Sequence, residues 1–131
     1  MAASIDSQTP AFHIAQLVAD WAHVVDGDDL DRLDRIVAPD GTFSVTGMTP
    51  EPLVGLEAIK AFVASFEPRP LQHTCTNVVI DVQPHRASAR SKFLCPMPGG
   101  TWLLGTYHDE FAQRDGEWRL TARTVTIQPG D

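Results

Sequence analysis

The chain has 131 residues, 43% of them apolar and 21% charged, which suits one domain with a substantial core. Seventeen acids against ten bases give a formal charge of −7, a surface that repels phosphate backbones and argues against nucleic-acid binding. No apolar run approaches the roughly 20 residues of a bilayer crossing, and Met1 to Asp6 lacks the basic start and apolar stretch of a secretory leader. The expectation is a cytoplasmic protein without membrane contact.

Residues 1–8 read as a loose tail ahead of a single domain over 9–131. Thr9-Pro10 signals a helix start, because a hydroxyl can cap free N–H groups and proline's fixed φ suits the first helical position. Phe12, Ile14, Leu17, Val18, Trp21, Val24 and Val25 then recur at helical spacing and form one apolar face, which Gly27 ends. Asp28 or Asp29 is placed to cap a second, short helix carrying Leu30, Leu33, Ile36 and Val37. Pro39-Asp40-Gly41 reads as a turn, Thr42 to Thr46 as a strand, and Thr49 to Pro52 as an irregular connection. Gly55 precedes a third helix with the stripe Ile59, Phe62, Val63 and Phe66, broken by Glu67-Pro68-Arg69-Pro70. From Leu71 the pattern is a meander of strands at about 71–82, 87–95, 101–113 and 118–127, with Asp115-Gly116 a hairpin signal for the last pair.

Helices first and antiparallel strands second make an α+β plan, a curved sheet wrapped around the long N-terminal helix. Such a cone has an open mouth suited to a small apolar molecule. Alternation puts Val78, Ile80, Val82, Ala87, Ala89 and Phe93 on one sheet face, and His73, Cys75 and Asn77 with Asp81, Arg90 and Lys92 on the other. For His73 to look into a cup lined by the apolar face, a β-bulge between residues 73 and 78 is required. Cys75 and Cys95 fall on neighbouring strands without CxxC spacing and read as buried free thiols. His13, His85 and His108 give no metal-ligand spacing with the acids, and no glycine-rich phosphate loop or Gly-x-Ser-x-Gly turn is present. Neither a cofactor nor a metal is expected.

Three stretches, spread over about residues 11–127, resemble the SnoaL-like branch of the nuclear transport factor 2-like superfamily. They are Val25-Asp26-Gly27-Asp28-Asp29-Leu30-Asp31-Arg32-Leu33 with Pro39-Asp40-Gly41, Gly55-Leu56-Glu57-Ala58-Ile59 with His73-Thr74-Cys75-Thr76-Asn77, and Tyr107-His108-Asp109-Glu110-Phe111 with Arg114-Asp115-Gly116-Glu117-Trp118-Arg119. The narrower likeness is to members with an Asp–His pair: scytalone dehydratase, bile acid 7α-dehydratase and hexachlorocyclohexane dehydrochlorinase. The resemblance implies that Asp26, at the end of the first helix, supports His73 as the base that removes a substrate proton in an elimination. A carboxylate that orients an imidazole makes a general base suited to neutral pH. Trp21 stands where those relatives place tyrosine or lysine, and Val25 where scytalone dehydratase has tyrosine. An indole N–H donates a hydrogen bond but delivers no proton.

His23, one turn before Asp26, competes for its carboxylate. Trp21 lies on the apolar stripe, and Trp102 and Tyr107 either line the pocket or fill it. Asn77 either orients substrate or satisfies a bulged backbone, and Arg123 either binds an anion or pairs with Glu110. The function expected is a cofactor-independent lyase or isomerase acting on a small apolar, cyclic substrate. Its catalytic residues are His73 and Asp26, with Trp21, Asn77, Tyr107, Trp102 and Arg123 contacting substrate. The alternatives are a polyketide-type cyclase or epoxide hydrolase with an acid as base, and a non-catalytic small-molecule-binding or assembly module. Val125 and Ile127 read as exposed on the last strand and suggest a homodimer or homotrimer through the outer sheet face.

Overall fold

The computed structural model describes residues 9–129, so the tail at 1–8 lies outside the described residues. Helix α1 spans Pro10–Asp26, and the Thr9 hydroxyl accepts the Phe12 N–H at 3.2 Å with Pro10 in the first turn. A cap of this kind is worth about 1 kcal/mol. Ile14, Val18, Trp21, Val24 and Val25 form its buried face, and the Gly27 N–H returns to the His23 carbonyl at 2.9 Å to close it. No helix among the described residues is long and apolar enough to cross a membrane.

The expected second, short helix is a 3-10 helix at Leu30–Arg35. The Asp29 side chain makes no capping bond there, and Val37 leaves the helical run to open strand β1, Val37–Val45. Pro39-Asp40-Gly41 is accordingly not a turn between elements. It lies inside β1, where pairing with the last strand slips between Val37 and Thr42. Strand β2 is the short Leu53–Val54, and α2 runs over Leu56–Ser65 with Leu56, Ile59 and Val63 buried. Strands β3 (Thr74–Gln83), β4 (Arg86–Pro96), β5 (Trp102–Arg114) and β6 (Glu117–Ile127) complete the sheet. Its order is β2-β1-β6-β5-β4-β3, antiparallel throughout except for the parallel β1–β6 pair. The result is an α+β cone whose inner face packs on α1 and α2.

Two bulges decide which side chains face that interior. In β3, Cys75 opposes the buried Phe93 and Ile80 opposes the buried Ala89, although an odd number of positions separates Cys75 from Ile80. The register slips between Thr76 and Val79, and Asn77 there adopts φ 56°. Asparagine tolerates this left-handed region better than most residues, so the extra residue is absorbed and the strand's parity flips. In β6, Phe111 pairs with Leu120 but Glu110 pairs with Ala122, leaving Thr121 as the extra residue. Leu120 and Arg123 therefore share the inner face.

That second bulge corrects two expectations. Arg123 is only 2% exposed and pairs with Asp109, not Glu110, through two bonds of 2.8 and 2.9 Å. Val125 is buried rather than exposed, and Ile127 is half-buried against the core, so neither supplies an outer interface. Burial opposes the charge on Arg123, but the Asp109 carboxylate outweighs it and holds the guanidinium firmly protonated. The guanidinium also lies 3.9 Å from the Tyr107 ring centre and 4.6 Å from that of Trp21. Two aromatic faces thus replace part of its lost hydration.

Asp109→Ala would strand a buried cation and is expected to cost about 3–5 kcal/mol, against about 0.5 kcal/mol or less for Glu110→Ala. Urea denaturation of the two variants checks the difference. At Gly105 an added Cβ would run into the Phe93 ring and the Thr126 carbonyl. Gly105→Ala is therefore expected to destabilise by about 1–3 kcal/mol in the same measurement.

Candidate active site

Asp26 is the last residue of α1 and His73 the residue just before β3. Three contacts join them: the His73 N–H donates to Oδ1 and Oδ2 of Asp26 at 3.1 and 2.9 Å, and ring Nδ1 meets Oδ1 at 2.6 Å. An ionised carboxylate can only accept, so Nδ1 carries the proton and the Nε2 lone pair is left free. Nε2 has no protein partner among the described residues. The two side chains are 18% and 27% exposed, at the rim of the interior rather than sealed in it. Asp26 pairs with His73, and His23 one turn earlier is exposed.

The chain on either side of Asp26 is held by Arg69. Its Nη2 donates to the Val25 carbonyl at 3.0 Å and to Asp28 Oδ1 at 2.9 Å. A cation on the last carbonyls of a helix also suits the negative end of its dipole.

His73 looks into a cup of about 660 Å3, counting the open space at its mouth. One wall is aromatic: Trp21 stacks on Phe43 with ring centres 5.7 Å apart, and Phe43 meets Phe62 at 5.6 Å. Facing strands contribute Phe93 and Tyr107, stacked at 4.8 Å, and Val125 and Ile127 complete the lining. Polar groups are few: His73, Arg69, the Tyr107 phenol and the Cys95 thiol. Burial pushes the Tyr107 phenol well above its usual range, so it stays neutral and able to donate. Burial likewise raises Cys95, which keeps it a thiol rather than a nucleophilic thiolate. Cys75 and Cys95 are both free. No group of three or more metal-ligating side chains occurs among the described residues.

The structure brings His73, Trp21 and Tyr107 to the cup, with Asp26 directly behind His73. Arg123 lies beneath the rings of Trp21 and Tyr107, committed to Asp109 and off the lining. Arg123 is thus one expected contact corrected, and two further ones are Trp102 and Asn77. Trp102 is 60% exposed, because the inward series on β5 is Leu103, Gly105 and Tyr107, and alternation turns Trp102 away. Asn77 is exposed, and its place is the backbone of the β3 bulge. Arg69 is a lining residue the sequence reading passed over, since Glu67-Pro68-Arg69-Pro70 registers as a helix breaker. The available signal was a cation fixed between two prolines.

The SnoaL-like domain family matches residues 12–124. Among solved structures, an NTF2-like protein with a cystatin-like fold from Novosphingobium aromaticivorans superposes with a TM-score of 0.81 at 21% identity, over 92% of this chain and 83% of that one. A protein from the same organism assigned as a scytalone dehydratase gives 0.74 at 20% identity, covering 91% of this chain and 84% of that one. Hexachlorocyclohexane dehydrochlorinase LinA-type3 from Novosphingobium barchaimii gives 0.76 at 23% identity, over 91% and 86%. At these identities the likeness establishes the fold. No curated protein sequence matches the chain. With a family match across most of its length, the chain belongs to the SnoaL-like domain family.

Proposed function

We propose that the protein is a cofactor-independent lyase or isomerase that takes a small apolar, cyclic substrate, with His73 as general base and Asp26 as its support. The observation that carries this reading is the 2.6 Å contact between Asp26 Oδ1 and His73 Nδ1 beside an apolar cup. Fold neighbours named for elimination chemistry, the assigned scytalone dehydratase and the dehydrochlorinase, support it.

In the elimination, Nε2 of His73 takes a proton from a substrate carbon. The C–H electrons form the new double bond, and the leaving group departs with its own bonding pair. Asp26 accepts from Nδ1 throughout and stabilises the imidazolium that forms. Trp21 replaces the tyrosine or lysine of dyad relatives, so no acid at that position protonates the leaving group. The neutral Tyr107 phenol is a donor in the cup for a leaving group or a developing enolate. In a proton shift, His73 returns the same proton to a second carbon and no group leaves. Any dimer or trimer would use exposed apolar residues such as Val79, Leu94 and Trp102 in place of Val125 and Ile127.

Hexachlorocyclohexane, followed by chloride release, and scytalone, followed by loss of water, are the first substrates to assay. With a substrate in hand, His73→Ala and Asp26→Asn are each expected to lower kcat by at least about 100-fold while leaving the fold intact by circular dichroism. Asparagine still accepts the His73 N–H but carries no charge to hold the imidazolium. Activity kept in His73→Ala but lost in Asp26→Asn would favour the cyclase or epoxide-hydrolase reading, with the acid as base. Undiminished activity in both would remove the dyad from the mechanism.

A further inference from the structure

The rim of the cup carries a second charged side chain that the dyad mechanism does not use. We infer that Arg69 is a specificity determinant, anchoring an acidic group of the bound molecule so that the cup takes an apolar ring body bearing one anion. This rests on the cup being the small-molecule site proposed above.

Four observations carry it. Arg69 lines the cup together with His73, and both enter on the segment between α2 and β3. Its guanidinium is fixed in place, because Nη2 is spent on the Val25 carbonyl and Asp28, and Pro68 and Pro70 restrict the backbone on both sides. Nε and Nη1 have no protein partner among the described residues, which leaves their N–H groups for a ligand. The nearby carboxylates are already engaged, Asp28 by Nη2 and Asp26 by the ring and backbone of His73. The remaining wall is mostly apolar, so the charged or chargeable side chains lining the cup are Arg69 and His73, each already facing one carboxylate, Asp28 and Asp26.

The side chain is 35% exposed, so the expected gain is that of a partly solvated ion pair. Arg69 also straps the end of α1, and the test must separate that role from ligand recognition. Fluorescence of N-phenyl-1-naphthylamine in the cup gives a displacement assay for two matched competitors, 2-naphthoate and its uncharged methyl ester. The wild-type protein is expected to bind the carboxylate about fivefold more tightly than the ester. Arg69→Lys should keep part of that preference, and Arg69→Met should abolish it with the ester's affinity unchanged. Equal affinities in the wild type, or a preference undiminished in Arg69→Met, would overturn the inference and leave the dyad proposal standing. Loss of ester binding in Arg69→Met would reduce Arg69 to a strap and overturn it too. Failure of both competitors and the dye to bind the wild type would remove the small-molecule site itself.

Discussion

One carboxylate holds the business end of this molecule together. Asp26 accepts three hydrogen bonds from His73, two from its backbone N–H and one from its ring, and so ties the end of α1 to the start of β3. The backbone bonds set where the strand begins, and the ring bond sets which imidazole nitrogen faces the cup. Geometry and tautomer are therefore determined by the same group, and neither can change alone. Arg69, bonded to the residue before Asp26 and to Asp28, keeps that carboxylate from swinging with a frayed helix end.

Much of this was readable from residue pattern, and the parts that were not share one cause. The Thr9-Pro10 start, the buried stripe of α1 and the four-strand meander follow from local chemistry that no distant contact overrides. The bulge in β3 was also legible, because the apolar face and His73 could not both point inward without one. Asn77, at φ 56°, is a residue type suited to that position. Thr121 gave no such warning, since threonine is an ordinary strand residue. Its bulge moved Arg123 and Val125 to the interior and exchanged Glu110 for Asp109 as the ion-pair partner. Val37 and Pro39 to Gly41 were misplaced for a related reason: the parallel pairing of β1 with β6 spans a slip in register that lies far away in sequence. Long-range pairing decided each of these positions.

The two acid–base pairs around the cup are built for opposite ends. Arg123 and Asp109 are nearly inaccessible, bonded twice and covered by aromatic rings, so their charges stay fixed. They give the cup a polar foundation without offering it a reactive group. Tyr107 stands above that pair and remains neutral, a donor to the cup that does not become a second anion.

As the proposed general base and its support, the His73–Asp26 pair needs the reverse. A base that takes a proton from carbon in every cycle must hand that proton on, either to product or to water. A fully buried imidazolium would have no route to solvent, while a fully exposed one would lose the orientation its carboxylate provides. At 18% and 27% exposure the two side chains sit between those limits, with the aromatic wall on one side and open water on the other. The cone supplies that boundary because its mouth lies where α1 ends and β3 begins. An acid ending the helix and a histidine leading the strand are thereby delivered to a place where an apolar pocket meets solvent.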